Sequence, residues 1–110
     1  YIDCLSCRQT MEFFCRLRGI KGQYMRKHIR WIARHVDLLF DLEKRRRQLD
    51  DSSVRKLTVA LSLIGNPFLV CMDEPTKGMD SGSKIRFWEG MLAMKNAKQS
   101  FILTCSGLDE

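Results

Sequence analysis

The sequence predicts an α/β fold in which a helix joins two short parallel strands. Residues 68–72 form an unbroken apolar run between Pro67 and Pro75, which is typical of a short strand buried on both faces. Residues 100–105 form a second, largely apolar run, and a helical pattern lies between the two. A strand, a helix and a strand with short links make a βαβ unit, so we expect parallel strands.

Three helices are predicted before the first strand. The first begins at a capping box of Ser6 and Gln9 and ends at Gly19, and the second extends from Tyr24 to Phe40. The third follows a segment of good N-cap residues and carries a core-facing stripe. The capping residues are Asp50, Asp51, Ser52 and Ser53, and the stripe is Leu57, Ala60, Leu61 and Ile64.

The fourth predicted helix lies between the strands. Asp80 and Ser81 cap it. Its core stripe is predicted to be Ile85, Trp88 and Leu92, broadened by Phe87, Met91 and Met94.

The composition indicates one domain with an uneven charge. In 110 residues no apolar run approaches the ~20 residues that span a membrane, so we expect any membrane link to come through another part of a larger protein. Residues 1–56 carry 14 Lys/Arg against 7 Asp/Glu, and such a surface could contact phosphates, lipid headgroups or nucleic acid. A solvated helical surface is the favoured interpretation, because no aromatic residues interleave the run Lys44–Arg47; no nucleic acid is expected as a partner.

The cysteines and histidines do not make a convincing metal site. Cys4 and Cys7 have the spacing of half a zinc site, but no second Cys/His pair matches it, so reduced thiols are predicted. His28 and His35 share a helix face without a carboxylate or cysteine at ligand spacing, which favours surface histidines.

The pair Asp73-Glu74 is the strongest candidate for chemistry. It ends the first predicted strand, and ligands of open α/β sheets bind outside the carboxyl ends of the strands. An aspartate there can hold Mg²⁺ through its waters, and a glutamate can polarise an attacking water. If residues 68–75 are taken alone, the alternative is that they form a helix cap or a turn.

Five short motifs, in this order and spacing, resemble those of an ABC transporter nucleotide-binding domain. They are Arg55-Lys56-Leu57, Leu63-Ile64-Gly65, Asp73-Glu74-Pro75-Thr76, Gly78-Met79-Asp80 and Ile102-Leu103-Thr104. The wording of Leu63-Ile64-Gly65, Asp73-Glu74-Pro75-Thr76 and Gly78-Met79-Asp80 is closest to the A subfamily of lipid exporters. The resemblance implies a partial P-loop NTPase (RecA-like) core with a helical subdomain and without the Walker A half. Residues 1–56 would be the helical subdomain, ending in a degenerate signature loop. Residues 57–110 would be the Walker B half, in the order helix, strand, helix, strand.

The resemblance also implies roles for three carboxylates. Asp73 would hold Mg²⁺, Glu74 would be the catalytic residue that orients or deprotonates water, and Asp80 of the D-loop would couple the two sites of a dimer. The implied cofactors are ATP and Mg²⁺. The implied partners are a second nucleotide-binding domain and the transmembrane domains of the same transporter, at the cytoplasmic face of a membrane.

Two places depart from the family pattern. Asp50, Asp51 and Ser52 stand where the signature loop usually has Ser-Gly-Gly, followed here by Ser53, and Ser106 stands where the family has its switch histidine. Carboxylates facing a γ-phosphate repel it, and a β-carbon at a glycine position blocks close backbone approach. We expect this loop to cap its helix and not to support ordinary ATP sandwiching.

No Gly-x-x-x-x-Gly-Lys-Ser/Thr motif occurs in the sequence, so the chain alone is not expected to hydrolyse ATP. As part of a transporter it would help to power the movement of lipids. A regulatory, non-hydrolysing nucleotide-binding half is an alternative. The remaining alternatives are a degraded gene copy and a basic helical module that binds nucleic acid.

Overall fold

The computed structural model describes residues 4–94 and 100–104, which form four α-helices, two 3₁₀ turns and two strands. In chain order they are α1 (Cys7–Leu17), α2 (Gly22–His35), the 3₁₀ turns Leu39–Asp41 and Arg46–Gln48, α3 (Asp51–Leu63), β1 (Leu69–Asp73), α4 (Ser81–Met94) and β2 (Ser100–Thr104). Helix α3 crosses the proposed boundary between residues 56 and 57, and the division into 1–56 and 57–110 stays a prediction.

The two strands form a parallel pair, as predicted. The register runs from Leu69 opposite Ser100 to Asp73 opposite Thr104, so both strands end at the same edge of the sheet. The prediction that β1 is buried on both faces is wrong for the described part of the chain. Val70 and Met72 are buried, whereas Leu69 is 49% exposed. Side chains alternate between the two faces of a strand, and burial in β1 follows that alternation, with the face of Val70 and Met72 buried and the other exposed.

Helix α1 begins as the sequence predicts. The main-chain N–H of Ser6 donates to Gln9 Oε1 over 2.9 Å, and the N–H of Gln9 donates to Ser6 Oγ over 3.2 Å. This reciprocal capping box satisfies two donors that the first turn of a helix leaves without partners.

Helix α2 ends at His35 and not at Phe40, which corrects the predicted end. Asp37 has φ +62°, a left-handed conformation that aspartate tolerates better than most residues. The N–H of Leu38 then donates to the carbonyl of Ala33 and closes the helix end.

The core lies where the helices meet. Helix α4 buries the residues predicted to broaden its core stripe, whereas of the predicted stripe itself only Trp88 packs against the core, partly buried. Phe87, Met91 and Met94 are buried, whereas Ile85 is 59% and Leu92 74% exposed. The contact of α4 with α2 explains this burial: a Cβ at Gly90 would lie 2.7 Å from the carbonyl carbon of His35. Glycine lets α4 approach α2 there, and this contact turns Phe87 and Met91 inward.

No helix in the described part of the chain combines the length and the apolarity needed to cross a membrane.

No disulfide joins the described cysteines, which differ in accessibility. Cys7 and Cys15 are buried and Cys4 and Cys71 are exposed; Cys105 lies outside the described residues. Burial raises the pKa of the Cys7 thiol from 9.0 to about 11, and the nearby Asp41 carboxylate adds to the rise.

We expect iodoacetamide at pH 8 to modify Cys71 and Cys4 well before Cys7 in the native chain. Only the thiolate reacts, and a thiol of pKa 11 has a thiolate fraction about 100-fold below that of an ordinary thiol of pKa 9.0. Peptide mass spectrometry after timed quenching measures the order, and the unfolded chain is the control in which the difference disappears. Equal labelling of Cys7 and Cys71 in the native chain would contradict the structure.

Candidate functional site

The carboxylates of Asp73 and Glu74 follow the end of β1. Asp73 is the last residue of the strand and is exposed at the edge where β2 also ends. Glu74 has φ +46° and is half-buried, so the chain leaves the line of the strand at this residue. A positive φ at a residue other than glycine is uncommon and marks an abrupt change of direction. The two adjacent carboxylates therefore lie at the carboxyl edge of the parallel strands, where ligands of α/β proteins bind.

Two cations approach this edge. Arg55 of α3 donates from Nη1 to the main-chain oxygen of Asp73 over 3.4 Å. Lys77 Nζ lies 3.9 Å from Glu74 Oε2. Asp73 also lines a cleft of about 210 Å³ between α3 and β1, together with Arg55 and Cys71. Each residue of the acidic pair thus has one positively charged side chain beside it.

The N-terminus of α3 is capped by Asp50, the residue at the usual signature-loop serine position. Its Oδ1 accepts the main-chain N–H of Ser53 over 2.7 Å. This hydrogen bond, from a backbone donor, lowers the pKa of the Asp50 carboxyl. The Asp50 carboxylate therefore occupies the N-terminus of α3, where an anion would otherwise bind. The Ser53 hydroxyl is held in turn, because it donates to Asp41 Oδ2 over 3.1 Å.

The N-terminus of α4 is built in the same way. Asp80 Oδ1 accepts the N–H of Ser83 over 2.7 Å, and this bond lowers the pKa of the Asp80 carboxyl. Gly78, two residues earlier, has φ +86°, which L side chains rarely adopt, so the turn before α4 depends on this glycine.

One cleft of about 430 Å³ joins these two helix ends. It is lined by Asp50–Ser53 and Lys56 from the first end and by Gly78, Asp80 and Ser83 from the second. The structure thus brings the predicted signature-loop and D-loop residues together. Asp73 lines the separate cleft described above, and Ser106, the predicted switch position, lies outside the described residues.

A cluster of three charged residues behind this cleft was not predicted from the sequence. Asp37 Oδ2 accepts hydrogen bonds from Lys56 Nζ over 3.2 Å and from Arg86 Nε over 3.1 Å. Burial alone would raise the pKa of Asp37, but the bonds from Arg86 and Lys56 outweigh it and lower that pKa. The signal in the sequence is weak: an aspartate just after the last helical residues is compatible with a left-handed helix end.

The residues at the β1 edge suit Mg²⁺ better than a metal held by protein ligands alone. Within residues 4–94 and 100–104, no three His, Cys, Asp or Glu side chains group as metal ligands. Mg²⁺ is usually bound through one or two carboxylates, with waters and substrate phosphates completing its octahedron. The exposed Asp73 and its neighbour Glu74 fit that donor set.

Curated relatives with similar sequences are ABC transporters of the A subfamily. The chain is 31% identical over 108 residues to ATP-binding cassette sub-family A member 2 of Rattus norvegicus, covering 98% of the chain and 4% of that protein. It is 34% identical over 106 residues to the human cholesterol transporter ABCA5, covering 96% of the chain and 6% of the transporter. The chain therefore spans only a small part of these relatives. No protein-family model matches the chain.

Solved structures with the same fold are ABC cassettes. The dimeric bacterial ABC transporter cassette MJ0796 superimposes with a TM-score of 0.86 at 16% identity, over 98% of the chain and 49% of the cassette. A putative ABC transporter ATP-binding protein from Pyrococcus furiosus matches with a TM-score of 0.78 at 22% identity, over 98% of the chain and 53% of that structure. These matches confirm the P-loop NTPase fold class predicted from the motifs. From its sequence relatives and its fold together, the chain is an A-subfamily-like segment of an ABC transporter nucleotide-binding domain.

Proposed function

We propose that the chain forms part of a nucleotide-binding domain that hydrolyses ATP to drive the transport of lipids across a membrane. The observation that carries the proposal is the position of Asp73 and Glu74 at the carboxyl edge of two parallel strands. The names of similar proteins, a cholesterol transporter and a retinal-specific phospholipid-transporting ATPase, support lipids as the substrate class.

Each proposed role follows from the chemistry of a side chain. Asp73 would hold Mg²⁺ through its waters, as an exposed carboxylate can. The ion held there would supply positive charge to offset the charge that develops on the phosphate oxygens. Glu74 would orient or deprotonate the attacking water, which requires a carboxylate within hydrogen-bond reach of that water. Asp80, beside the signature-loop residues in one cleft, would couple this site to its partner site.

The rest of the site would come from other parts of the parent protein. The sequence has no Gly-x-x-x-x-Gly-Lys-Ser/Thr loop to hold the phosphates, so the isolated chain would not hydrolyse ATP. A solved cassette that matches with a TM-score of 0.84 is described as bound to ADP and Pi, which supports nucleotide as the ligand. A second nucleotide-binding domain and transmembrane domains would complete the transporter. The chain would lie at the cytoplasmic face and reach the membrane only through that parent.

The variant Glu74→Gln in the full-length parent tests this role. We expect ATP binding to persist and turnover to fall by about 100-fold or more, because glutamine keeps the shape of the side chain but cannot take a proton. Glu89→Gln, an exposed glutamate on α4, is the matched control and should leave turnover unchanged. Normal turnover in Glu74→Gln would remove Glu74 from the mechanism.

A regulatory nucleotide-binding half without hydrolysis is a second candidate, and one observation favours it. Asp50 already caps the helix end that would meet a phosphate, with Asp51 beside it. In a dimer the signature loop serves the nucleotide of the partner domain, so this chain could contribute to its own nucleotide site and still fail to complete the other.

A further inference from the structure

Asp37 connects three helices that are far apart in the sequence. It lies two residues beyond the end of α2, and its Oδ2 accepts from Lys56 of α3 and from Arg86 of α4. Both distances, 3.2 and 3.1 Å, lie within the range of N–H···O hydrogen bonds, and the two donors and the acceptor are charged. One carboxylate oxygen thus bridges two cations that are 30 residues apart in the chain.

The Lys56 arm of this bridge is buried. Lys56 is only 7% exposed, and a buried ammonium group is costly unless a carboxylate and hydrogen bonds compensate it. Asp37 supplies that carboxylate. Its left-handed backbone, φ +62°, is one that asparagine and glycine also adopt readily, whereas a bulky residue would strain it.

Both arms lead to the cleft that joins the two capped helix ends. Lys56 lines this cleft beside Asp50–Ser53. Arg86 donates from Nη2 to Ser83 Oγ over 3.2 Å, and the N–H of Ser83 is the donor that Asp80 caps. Asp37 is therefore one side chain away from each N-terminus, although it does not line the cleft.

We propose that Asp37 is a positioning residue that ties the N-termini of α3 and α4 together, so that the signature-loop and D-loop segments behave as one mechanical unit. The coupling is a property of this chain and needs no nucleotide. What the coupling would do in a transport cycle rests on the proposed function. The experiment that tests the coupling does not, so the coupling and the proposed function can fail separately.

Amide hydrogen exchange in the full chain, comparing wild type with Asp37→Asn, tests the coupling. Asparagine keeps the size of the side chain and the backbone conformation but removes the charge that both cations need. We expect exchange to become at least fivefold faster at both helix ends. The probes are Ser53 and Val54 at the start of α3 and Ser83 and Lys84 at the start of α4, whose N–H groups bond to Asp50 and Asp80.

Two variants cut one arm each and distinguish coupling from local contact. If the two ends are tied through Asp37, Lys56→Met and Arg86→Met should each accelerate exchange at both ends, whereas two separate local contacts would confine each effect to one end. Glu12→Gln, which breaks an ion pair with Arg8 in α1, is the control and should change neither end.

Three results would overturn the proposal. They are unchanged exchange at either end in Asp37→Asn, an equal acceleration throughout α1 that shows only a loss of global stability, and an effect of Lys56→Met or Arg86→Met confined to its own helix end. If Asp37→Asn does not fold, the double variant Asp37→Asn/Lys56→Met removes the unpaired buried ammonium. Exchange at the α4 end of that variant should match Arg86→Met, and wild-type exchange there would again overturn the proposal.

Discussion

Gly90→Ala is expected to destabilise the chain by about 3 kcal/mol or more, although alanine is the better helix former. Glycine within a helix costs about 1 kcal/mol relative to alanine, so helix propensity alone predicts a gain in stability. Packing reverses the sign, because a Cβ at Gly90 would overlap the carbonyl oxygen of His35 and stand 2.7 Å from its carbon. That neighbour is backbone at the end of α2 and cannot rotate away, so α4 would have to separate from α2.

Gly82→Ala in the same helix is the matched control for this prediction. The nearest atoms to a Cβ there are the end of Arg86, at 3.5 Å, and Asp80 Oδ1, at 3.8 Å, which are ordinary contacts. We expect Gly82→Ala to be neutral or to stabilise the chain by up to about 1 kcal/mol. Urea denaturation followed by circular dichroism gives both free energies of unfolding. Similar stability of Gly90→Ala and wild type would show that α2 and α4 are not packed as described.

Replacing the acidic loop by Ser-Gly-Gly, as Asp50→Ser/Asp51→Gly/Ser52→Gly in the full-length parent, should raise its ATPase rate at least tenfold. At ~4 Å, two like charges repel by about 1 kcal/mol in water and about 4 kcal/mol at an effective dielectric constant near 20. If removing one such repulsion from a γ-phosphate lowers the activation barrier, the rate rises by a factor of ten for about every 1.4 kcal/mol removed. Serine at position 50 is also a good N-cap, so α3 should keep its capped start.

Glu43→Gln serves as the control for the loop replacement. It removes an exposed carboxylate that pairs with Arg8 of α1 and, although only seven residues before the loop, does not line the loop's cleft. Steady-state phosphate release measures both rates. An unchanged rate in the loop variant would mean that the carboxylates do not limit turnover, and it would contradict the expectation that this loop cannot support ATP sandwiching.

Local chemistry accounts for what the sequence predicts well. The capping box at Ser6 and Gln9 depends on side chains three residues apart, and the structure confirms both of its bonds. The parallel pairing of the two strands follows from their order around α4. The placement of the acidic pair at the end of β1 depends on the apolar run before it. Each of these needs only neighbouring residues or chain order.

The predictions that fail depend on contacts between distant residues. On α4, Ile85 and Leu92 of the predicted stripe are exposed although Trp88 packs against the core, and the close approach of Gly90 to α2 favours the face of Phe87, Met91 and Met94. The end of α2 depends on the left-handed backbone of Asp37, which its bonds to two other helices help to hold.

The face of β1 that remains exposed has the same explanation. Burial of an apolar side chain such as Leu69 is favourable, but the residue type does not show whether another element covers the side chain. Whether a face of β1 is buried depends on which helix packs against it. The alternation of residues within the strand does not predict which helix that is.

A structure of the full-length parent protein with Mg²⁺ and ATP bound tests the nucleotide-site assignment most directly. We expect the Asp73 carboxylate in the outer shell of Mg²⁺ and the Glu74 carboxylate within hydrogen-bond reach of the water in line with the γ-phosphate. A nucleotide bound away from the edge where β1 and β2 end, with both carboxylates facing solvent or capping a helix, would contradict it.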